Sequence, residues 1–224
     1  MDKFFTEAFE KMDDEARESF YKTVFLNDDS EYAAKVRNDY YKTKLKHMGE
    51  NVQIGKGVKF VNPEYISLGD NVRICDDVTL IARGEGGITL GNGVWLNERV
   101  YLDTESADTG YIKIDDKVYI GTGTTLFGHK GLEIGDNVLL AQNITLTPYS
   151  HIFDDPERNI ITQGGHSEKV TIGRDSYIGM GVDIMYSGNI GEGSVVGAGS
   201  VVVKSIPPYS VAVGNPAKVI KKRG

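Results

Sequence analysis

The sequence predicts a mainly β fold, a parallel β-helix in which short strands wind around a three-sided prism. Three observations predict it: aliphatic residues recur six positions apart in sets of three, polar residues or glycine separate them, and glycine is frequent. The chain has 27 glycines among 224 residues, more than the roughly 7% of an average protein. A spacing of six does not describe one face of an α-helix, because six residues rotate a helix by about 600°.

Each complete set of three aliphatic residues accounts for one coil of the prism. A small or β-branched residue stands two positions before most of them, so each triplet is a short strand with its first and third side chains on one face. Gly-Asp-Asn, at 69–71 and 135–137, is typical of the turns between strands. After a less regular start at Ile54 and Phe60, the sets are Leu68, Ile74 and Leu80; Leu90, Leu96 and Leu102; Ile114, Ile120 and Leu126; Ile134, Leu140 and Leu146; Ile172, Ile178 and Ile184; and Ile190, Val196 and Val202.

The distances between successive sets locate the insertions. An undecorated coil takes 18 residues, as from Ile172 to Ile190, whereas 38 residues separate Ile134 from Ile172. We assign the surplus to one long excursion loop at 149–169. Every insertion follows the third triplet of its set, so all of them leave the prism from the same edge. Long excursions are usually functional or disordered, and rigid coils at both ends of this one favour function.

The first 50 residues have helical rather than hexad spacing. Two helices are predicted, at 4–12 and at 29–49, the second with a start signal at Asp29 and Ser30 and a stop signal at Gly49. We expect segment 1–50 to be an α-helical cap on the open first coil. The prism then occupies 51–206, and a C-terminal tail occupies 207–224.

Composition and charge narrow the expected partners and the expected compartment. The formal net charge of −7 argues against a nucleic-acid partner, which would require a basic face. No apolar run reaches the length of a membrane span, and the N-terminus lacks a signal-peptide pattern. The single cysteine, Cys75, cannot form an internal disulfide, which favours a reducing compartment. We therefore expect a cytoplasmic protein.

The hexads, the excursion with its histidine, and the ending PPYSVAVGNPAKVIKK at 207–222 together resemble the hexapeptide-repeat acyltransferases. The resemblance covers about 50–224 and is strongest to the branch of galactoside and maltose O-acetyltransferases and xenobiotic acetyltransferases. It implies a left-handed β-helix, an exception to the usual right-handed crossover. It also implies a homotrimer that holds acetyl-CoA, the acyl donor, in the groove between neighbouring prisms, with no metal requirement. On this basis the helices could alternatively help to bind the acyl acceptor.

Acyl transfer from a thioester to a hydroxyl requires a base, a hydrogen-bond donor for the developing oxyanion, and a clamp that aligns the reactants. Neutral imidazole is the natural base near pH 7. In the family, the catalytic histidine stands where a coil gives way to a loop and precedes an Asp-Pro-Glu segment. His151, followed by DDPER at 154–158, matches that pattern. The resemblance implies that His151 is the general base; the alternative is an ordinary loop histidine.

The other three histidines have weaker claims. His129 follows a third triplet and so shares the edge of the excursion; a solvated turn residue is the expected interpretation, with acceptor binding as the alternative. His166 is expected on the return leg of the excursion. His47 is expected to terminate the second helix, where it would interact favourably with the helix dipole.

The resemblance also implies the residues that bind the donor and stabilise the transition state. The backbone amide of Met180 would stabilise the oxyanion. Tyr177 stands where many relatives carry tryptophan, and it either packs at a subunit seam or forms a pocket wall. The amide of Ala198 would contact the pantetheine arm, and basic residues would bind the phosphates and adenine. The implied donor-binding residues are Tyr177, Gly179, Ala198, Lys204, Pro216, Lys218 and Lys221.

Candidate acceptor-side residues lie in the second complete set. Asn97 begins a turn and matches an acceptor-side asparagine of the sugar acetyltransferases, although a turn asparagine needs no functional reason. Asp103 is a weaker candidate. Trp95 and Tyr101 are outward aromatics that suit a trimer seam or a sugar platform. Cys75 is not expected to be a nucleophile, because it occupies a hexad position where small residues are common.

The leading hypothesis is an acetyl-CoA-dependent O-acetyltransferase that acts on a hydroxyl of a saccharide or a cell-surface polysaccharide precursor. The first alternative is N-acetylation of an amino sugar or acetylation of a streptogramin-type antibiotic. Less favoured are a zinc protein similar to γ-carbonic anhydrases, which would need three converging histidines, and a non-catalytic scaffold.

Overall fold

The hexad triplets form the strands of a left-handed parallel β-helix of about seven turns, as predicted. The computed structural model describes residues 11–224. In chain order its strands are β1 (His47–Met48), β2 (Gln53–Ile54), β3 (Lys59–Val61), β4 (Ile66–Leu68), β5 (Arg73–Ile74), β6 (Thr79–Ile81), β7 (Ile88–Leu90), β8 (Trp95–Leu96), β9 (Tyr101–Asp103), β10 (Ile112–Ile114), β11 (Tyr119–Ile120), β12 (Thr125–Phe127), β13 (Leu132–Ile134), β14 (Leu139–Leu140), β15 (Thr145–Leu146), β16 (Tyr149–His151), β17 (Gly165–Ser167), β18 (Val170–Ile172), β19 (Tyr177–Ile178), β20 (Asp183–Ile184), β21 (Val195–Val196), β22 (Val201–Val202), β23 (Ser210–Val213) and β24 (Lys218–Lys222).

Three sheets form the faces of the prism. Sheet A has the order β1-β4-β7-β10-β13-β18, and sheet B has the order β2-β5-β8-β11-β14-β19-β21-β23-β24. Sheet C has the order β3-β6-β9-β12-β15-β20-β22. Neighbouring strands are parallel and in register except for the last pair, because β24 turns back antiparallel to β23. The C-terminal tail thus adds a strand to sheet B.

The aliphatic columns form the core. All members of the six complete sets are at most 2% exposed, and strand register places them directly above one another, as in the Ile114–Ile134–Ile172 column. Burial of each such side chain contributes about 1.5–3 kcal/mol. Phe60, from the less regular first set, is only partly buried.

The turns explain the Gly-Asp-Asn pattern. Asn71 and Asn137 have φ of 56° and 58°, a left-handed conformation that asparagine adopts more readily than most residues. Gly69 is needed for another reason: a Cβ there would lie 2.8 Å from the backbone carbon of Gly91 in the next coil. The spacing between stacked coils therefore excludes a side chain at the first turn position.

Two edges of the prism position the candidate site residues. We call the turns from sheet B to sheet C, such as 97–100 and 179–182, the B–C edge. We call the segments from sheet C to the next strand of sheet A, such as 104–111 and 147–169, the C–A edge. The insertions all leave from the C–A edge, which confirms the predicted common edge.

Two helices precede the prism within the described residues, α1 (Asp14–Val24) and α2 (Glu31–Lys42). Each begins at a polar cap: Asp13 accepts a hydrogen bond from the Ala16 N–H, and Ser30 accepts one from the Ala33 N–H. Most of the helix predicted at 4–12 lies outside the described residues. Two short 3₁₀ helices occupy Pro63–Tyr65 and Ile160–Thr162.

The predicted end of the second helix was wrong. Helix α2 ends at Lys42 rather than at Gly49, and His47 lies in β1, paired with Ser67, instead of terminating a helix. The cause is competition for hydrogen bonds: the N–H groups of Lys46 and Gly49 donate to carbonyls of Ile66 and Leu68 in the next coil. The last residues of the helical pattern therefore join sheet A.

Helix α2 supplies hydrogen-bond partners to the first coil. The buried Arg37 donates from Nε to the Ile54 carbonyl at 3.2 Å. The Asn38 side chain donates to the Val52 carbonyl and accepts a hydrogen bond from the Ile54 N–H. Tyr41 donates its hydroxyl to the Val58 carbonyl at 3.2 Å. These contacts satisfy backbone groups of a coil that has no preceding coil to bond. In residues 11–224, neither helix has the length and apolar character that crossing a bilayer requires.

Candidate active site

The long excursion begins and ends as a two-stranded antiparallel hairpin. Strands β16 and β17 pair Tyr149 with Ser167, Ser150 with His166, and His151 with Gly165. Because side chains alternate across a strand, Tyr149 and His151 share one face of the hairpin. His151 is exposed at the end of β16, where the chain leaves the hairpin for the loop tip.

The loop tip is held by its own hydrogen bonds. The Gln163 side chain accepts from the Asp155 N–H and donates to the Asp155 and Arg158 carbonyls at 2.9 Å. The Arg158 guanidinium donates to the Thr162 carbonyl. The DDPER segment therefore closes on the return leg, and it gives the strand that carries His151 a structured continuation.

His151 packs against an aromatic ring. The imidazole and the Tyr149 ring are perpendicular, with centroids 5.0 Å apart. Tyr149 also contacts His129, with centroids 4.8 Å apart. Three rings from two consecutive coils thus form a row along the C–A edge that ends at His151.

His129 lies in a turn, as expected, but it is only partly solvated. Its side chain is 30% exposed, but its Nδ1 atom is buried and has no hydrogen-bond partner within the described residues. The nearest charge is the Glu105 carboxylate, whose Oε2 lies 3.8 Å from Nδ1. Packing on Tyr149 draws the imidazole out of solvent, and the sequence spacing gave no sign of this.

His166 lies on the return leg of the excursion, as predicted, in β17. It pairs with Ser150, so it lies on the face of the hairpin opposite Tyr149 and His151. It is exposed.

The Asp103 side chain is buried in a network of hydrogen bonds and is not exposed to an acceptor. It is 1% exposed, and it accepts hydrogen bonds from Arg83 Nε and Nη2, the Tyr101 hydroxyl and the Glu105 N–H. Burial opposes its ionisation, but these hydrogen bonds and the guanidinium charge together hold the pKa of Asp103 below its ordinary value. The carboxylate fixes the turn that carries Glu105 towards His129.

Asn97 lies on the B–C edge, away from the excursion. Its side chain donates to the Tyr119 hydroxyl and accepts from Cys75 Sγ at 3.7 Å. Cys75 in turn accepts a hydrogen bond from Trp95 Nε1 at 3.2 Å, and the Arg73 guanidinium lies 4.6 Å from the centre of the Trp95 ring. Asn97 therefore belongs to a packed polar cluster on the outside of sheet B.

Tyr177, Gly179 and Met180 also lie at the B–C edge, three coils beyond Asn97. Tyr177 and Met180 are exposed, at 46% and 59%. The Met180 N–H makes no hydrogen bond within the described chain, because coil stacking uses the N–H groups of Gly179 and Gly181 on either side. Gly179 has a packing role: a Cβ there would lie 2.6 Å from the Ala198 nitrogen.

Ala198 and the candidate lysines occupy the last coil and the tail. Ala198 is exposed and, like Met180, has an N–H that no group of the described chain accepts. Pro216 is exposed in the turn between β23 and β24. Within the described residues Lys204, Lys218 and Lys221 make no ion pair or side-chain hydrogen bond, whereas Arg223 pairs with Asp175 at 3.0 Å.

The predicted site residues therefore form two groups on two edges of one chain. His151 stands on the C–A edge, and Asn97, Tyr177, Met180 and Ala198 stand on the B–C edge. No hydrogen bond or ring contact in the described chain joins His151 to the second group. Among residues 11–224, no three histidine, cysteine or carboxylate side chains are grouped to hold a metal ion.

Sequence reasoning missed Tyr149, Gly165 and Glu105. Tyr149 stands two residues before His151, and that spacing places both on one face once the segment is known to be a strand. The sequence predicts a loop for the excursion, and the alternation of side chains applies only to a strand.

Comparison with known proteins agrees with the fold. No family model matches the chain. The dTDP-4-amino-4,6-dideoxy-D-glucose acyltransferase of Escherichia coli is 30% identical over 80% of this chain and 83% of its own length. The galactoside O-acetyltransferase of Escherichia coli is 37% identical over 60% of this chain and 63% of its own length. Among solved structures, the N-acyltransferase AntD from Bacillus cereus, in complex with dTDP and 3-hydroxybutyryl-CoA, has a TM-score of 0.59 at 25% identity, over 84% of this chain and 88% of that one.

The match to several curated relatives is partial, since it spans between 43% and 63% of their length. The dTDP-sugar acyltransferase, by contrast, is covered over 83% of its length. That coverage, the hexad coils and the left-handed β-helix agree with one another. The chain is a member of the hexapeptide-repeat acyltransferase family.

Proposed function

We propose that the protein transfers an acetyl group from acetyl-CoA to a hydroxyl of a saccharide or polysaccharide precursor, with His151 as general base. The observation that carries the proposal is the placement of His151: an exposed imidazole at the end of a hairpin, on a loop whose tip is tied by its own hydrogen bonds. A sugar hydroxyl must lose its proton as it attacks the thioester, and a positioned imidazole typically accelerates such a step 10²- to 10⁴-fold.

The B–C edge would supply the other parts of the reaction. The unengaged N–H of Met180 is suited to donate to the oxyanion, and that of Ala198 to the pantetheine arm. Lys204, Lys218 and Lys221, unpaired in the described chain, would bind the phosphates of acetyl-CoA. Asn97 would contact the acceptor. AntD binds 3-hydroxybutyryl-CoA, which supports an acyl-CoA donor here.

A complete site requires two chains, because the two groups of residues lie on different edges. A homotrimer would bring the C–A edge of one copy to the B–C edge of the next. An outward column of Trp95, Leu139 and Tyr177 on sheet B, each at least 38% exposed, supports this arrangement. These large apolar side chains are suited to burial between copies.

The test is thioester cleavage of acetyl-CoA in the presence of a panel of saccharides and oligosaccharides. His151→Ala is expected to lower kcat at least about 100-fold. His166→Ala is the matched control: it changes the same hairpin on the opposite face and is expected to retain wild-type activity. If His151→Ala is close to wild type, the base lies elsewhere and the proposal is wrong.

N-acylation of an amino sugar is a second candidate function, favoured by the match to the dTDP-4-amino-4,6-dideoxy-D-glucose acyltransferase. A neutral amine is a stronger nucleophile than a neutral hydroxyl and can lose its proton after it attacks, so it depends less on a base. A sugar and its amino analogue, compared in wild type and His151→Ala, separate the two. Preference for the amine with little dependence on His151 would establish N-acylation instead.

A further inference from the structure

Tyr149 contacts both histidines of the C–A edge. The centroid of its ring lies 4.8 Å from that of His129, with the planes inclined by 51°, and 5.0 Å from that of His151, with the planes perpendicular. Within the described residues His151 has no other ring contact, and its imidazole makes no side-chain hydrogen bond. Its orientation therefore depends on Tyr149.

The hairpin leaves room for this ring at one residue. Gly165 is the cross-strand partner of His151, and a Cβ at Gly165 would lie 2.2 Å from both Cζ and the hydroxyl oxygen of Tyr149. The tyrosine ring thus crosses diagonally over the position where a partner side chain would normally pack against His151. Gly165 provides no side chain, and Tyr149 occupies its place.

The ring of Tyr149 makes the contacts with the two histidines. The Tyr149 hydroxyl forms no hydrogen bond with any group of the described chain, whereas the ring packs against a half-buried His129. His129 in turn sits beside the turn that the buried Asp103 fixes through the Glu105 N–H. The row is therefore anchored in the coils below the excursion.

We propose that Tyr149 is a positioning residue: it holds the His151 imidazole in the orientation needed to accept the proton of the acceptor. This inference rests on the proposed role of His151 as general base. Catalytic groups must be held closely in their productive geometry by neighbours that are themselves packed, and a misplacement of about 1 Å can cost 10²-fold in rate. The hairpin backbone places the Cα of His151, and Tyr149 restricts the side chain.

The experiment compares Tyr149→Phe with Tyr149→Ala in the full-length protein. Tyr149→Ala is expected to lower kcat about 10- to 100-fold, with the KM for acetyl-CoA roughly unchanged because Tyr149 makes no hydrogen bond or ring contact with the proposed donor-binding residues in the described chain. Tyr149→Phe keeps the ring and is expected to restore kcat to near wild type. If the hydroxyl were needed rather than the ring, Tyr149→Phe would instead lose activity.

A second readout does not depend on knowing the acceptor. The chain has four histidines, so the imidazole signals in ¹H–¹³C NMR spectra are few, and His151→Ala identifies the signal of His151. Tyr149→Ala is expected to shift that signal, since it removes the adjacent aromatic ring current, whereas Tyr149→Phe is expected to leave it in place. An unchanged His151 signal in Tyr149→Ala would overturn the inference.

The outcomes distinguish this inference from the proposed function. If His151→Ala is inactive and Tyr149→Ala is fully active, Tyr149 is not a positioning residue while the general base stands. If Tyr149→Ala raises the KM for acetyl-CoA and leaves kcat unchanged, the ring serves donor binding and the inference is wrong. If His151→Ala is itself active, the proposed function is wrong, and the role of Tyr149 that rests on it is wrong as well.

Discussion

Arg83 and Asp103 form a bidentate ion pair, in which Nε and Nη2 donate to the two carboxylate oxygens at 2.8 and 2.6 Å. The carboxylate is almost completely buried, whereas the Arg83 side chain remains half exposed. Asp103 also accepts the Glu105 N–H, so the pair fixes the turn below His129. Its contribution is therefore to stability and to the shape of the C–A edge.

The lowered pKa of Asp103 gives a pH prediction with a definite sign. A depressed folded-state pKa contributes stability above the unfolded-state value, about 3.9, and that contribution is lost as the pH falls through the folded-state value. Wild type is therefore expected to be more stable than Asp103→Asn at pH 7, with the difference shrinking below about pH 4. Denaturant unfolding at both pH values measures it, and a difference that grows in acid would contradict the prediction.

Met180 allows the proposed oxyanion donor to be deleted with little structural cost. Gly181, the next residue, has φ of 64°, an arrangement typical of a type II turn, which favours proline at the preceding position. Met180→Pro replaces the side chain and removes an N–H that makes no hydrogen bond within the described residues, and it is expected to lower kcat about 10²- to 10³-fold. Met180→Ala keeps the N–H and is expected to keep most of the activity. Equal activity of the two variants would exclude this amide.

The lysines of the tail are expected to act in donor binding. Lys218→Ala and Lys221→Ala remove exposed charges that have no ion-pair partner among residues 11–224, and each is expected to weaken CoA binding about two- to fivefold at low salt. The difference in affinity is expected to become smaller in concentrated salt, because dissolved ions screen exposed charges. Lys113→Ala, on sheet A and paired with Asp115, is the control. Calorimetric titration with CoA measures the affinities. An equal loss of affinity in the control would show that the tail lysines do not bind CoA specifically.

Gly165 and Tyr149 are expected to be energetically coupled. Gly165→Ala places a methyl group against the Tyr149 ring and is expected to lower kcat about 10-fold or more, because the ring and His151 must shift. In a Tyr149→Ala background the three atoms nearest to that methyl are gone, so its added effect is expected to be small. A double-mutant cycle measures this coupling, and additive effects would show that the contact is not transmitted to His151.

The sequence by itself determined the coil. Leu90, Leu96 and Leu102 stand six residues apart, a spacing that short strands separated by turns can bury together, and the structure buries all three. The common edge of the insertions followed from the same counting. These features are local and periodic, so residue type and spacing were sufficient to predict them.

The tertiary structure decided what happens where the period stops. His47 joins sheet A because the next coil offers carbonyls that the helix cannot match. The excursion forms a hairpin because its two legs meet across the C–A edge, and only there do Tyr149, Gly165 and His151 come together. The physical reason is that these contacts join residues far apart in the chain, through packing and hydrogen bonds that no local spacing records.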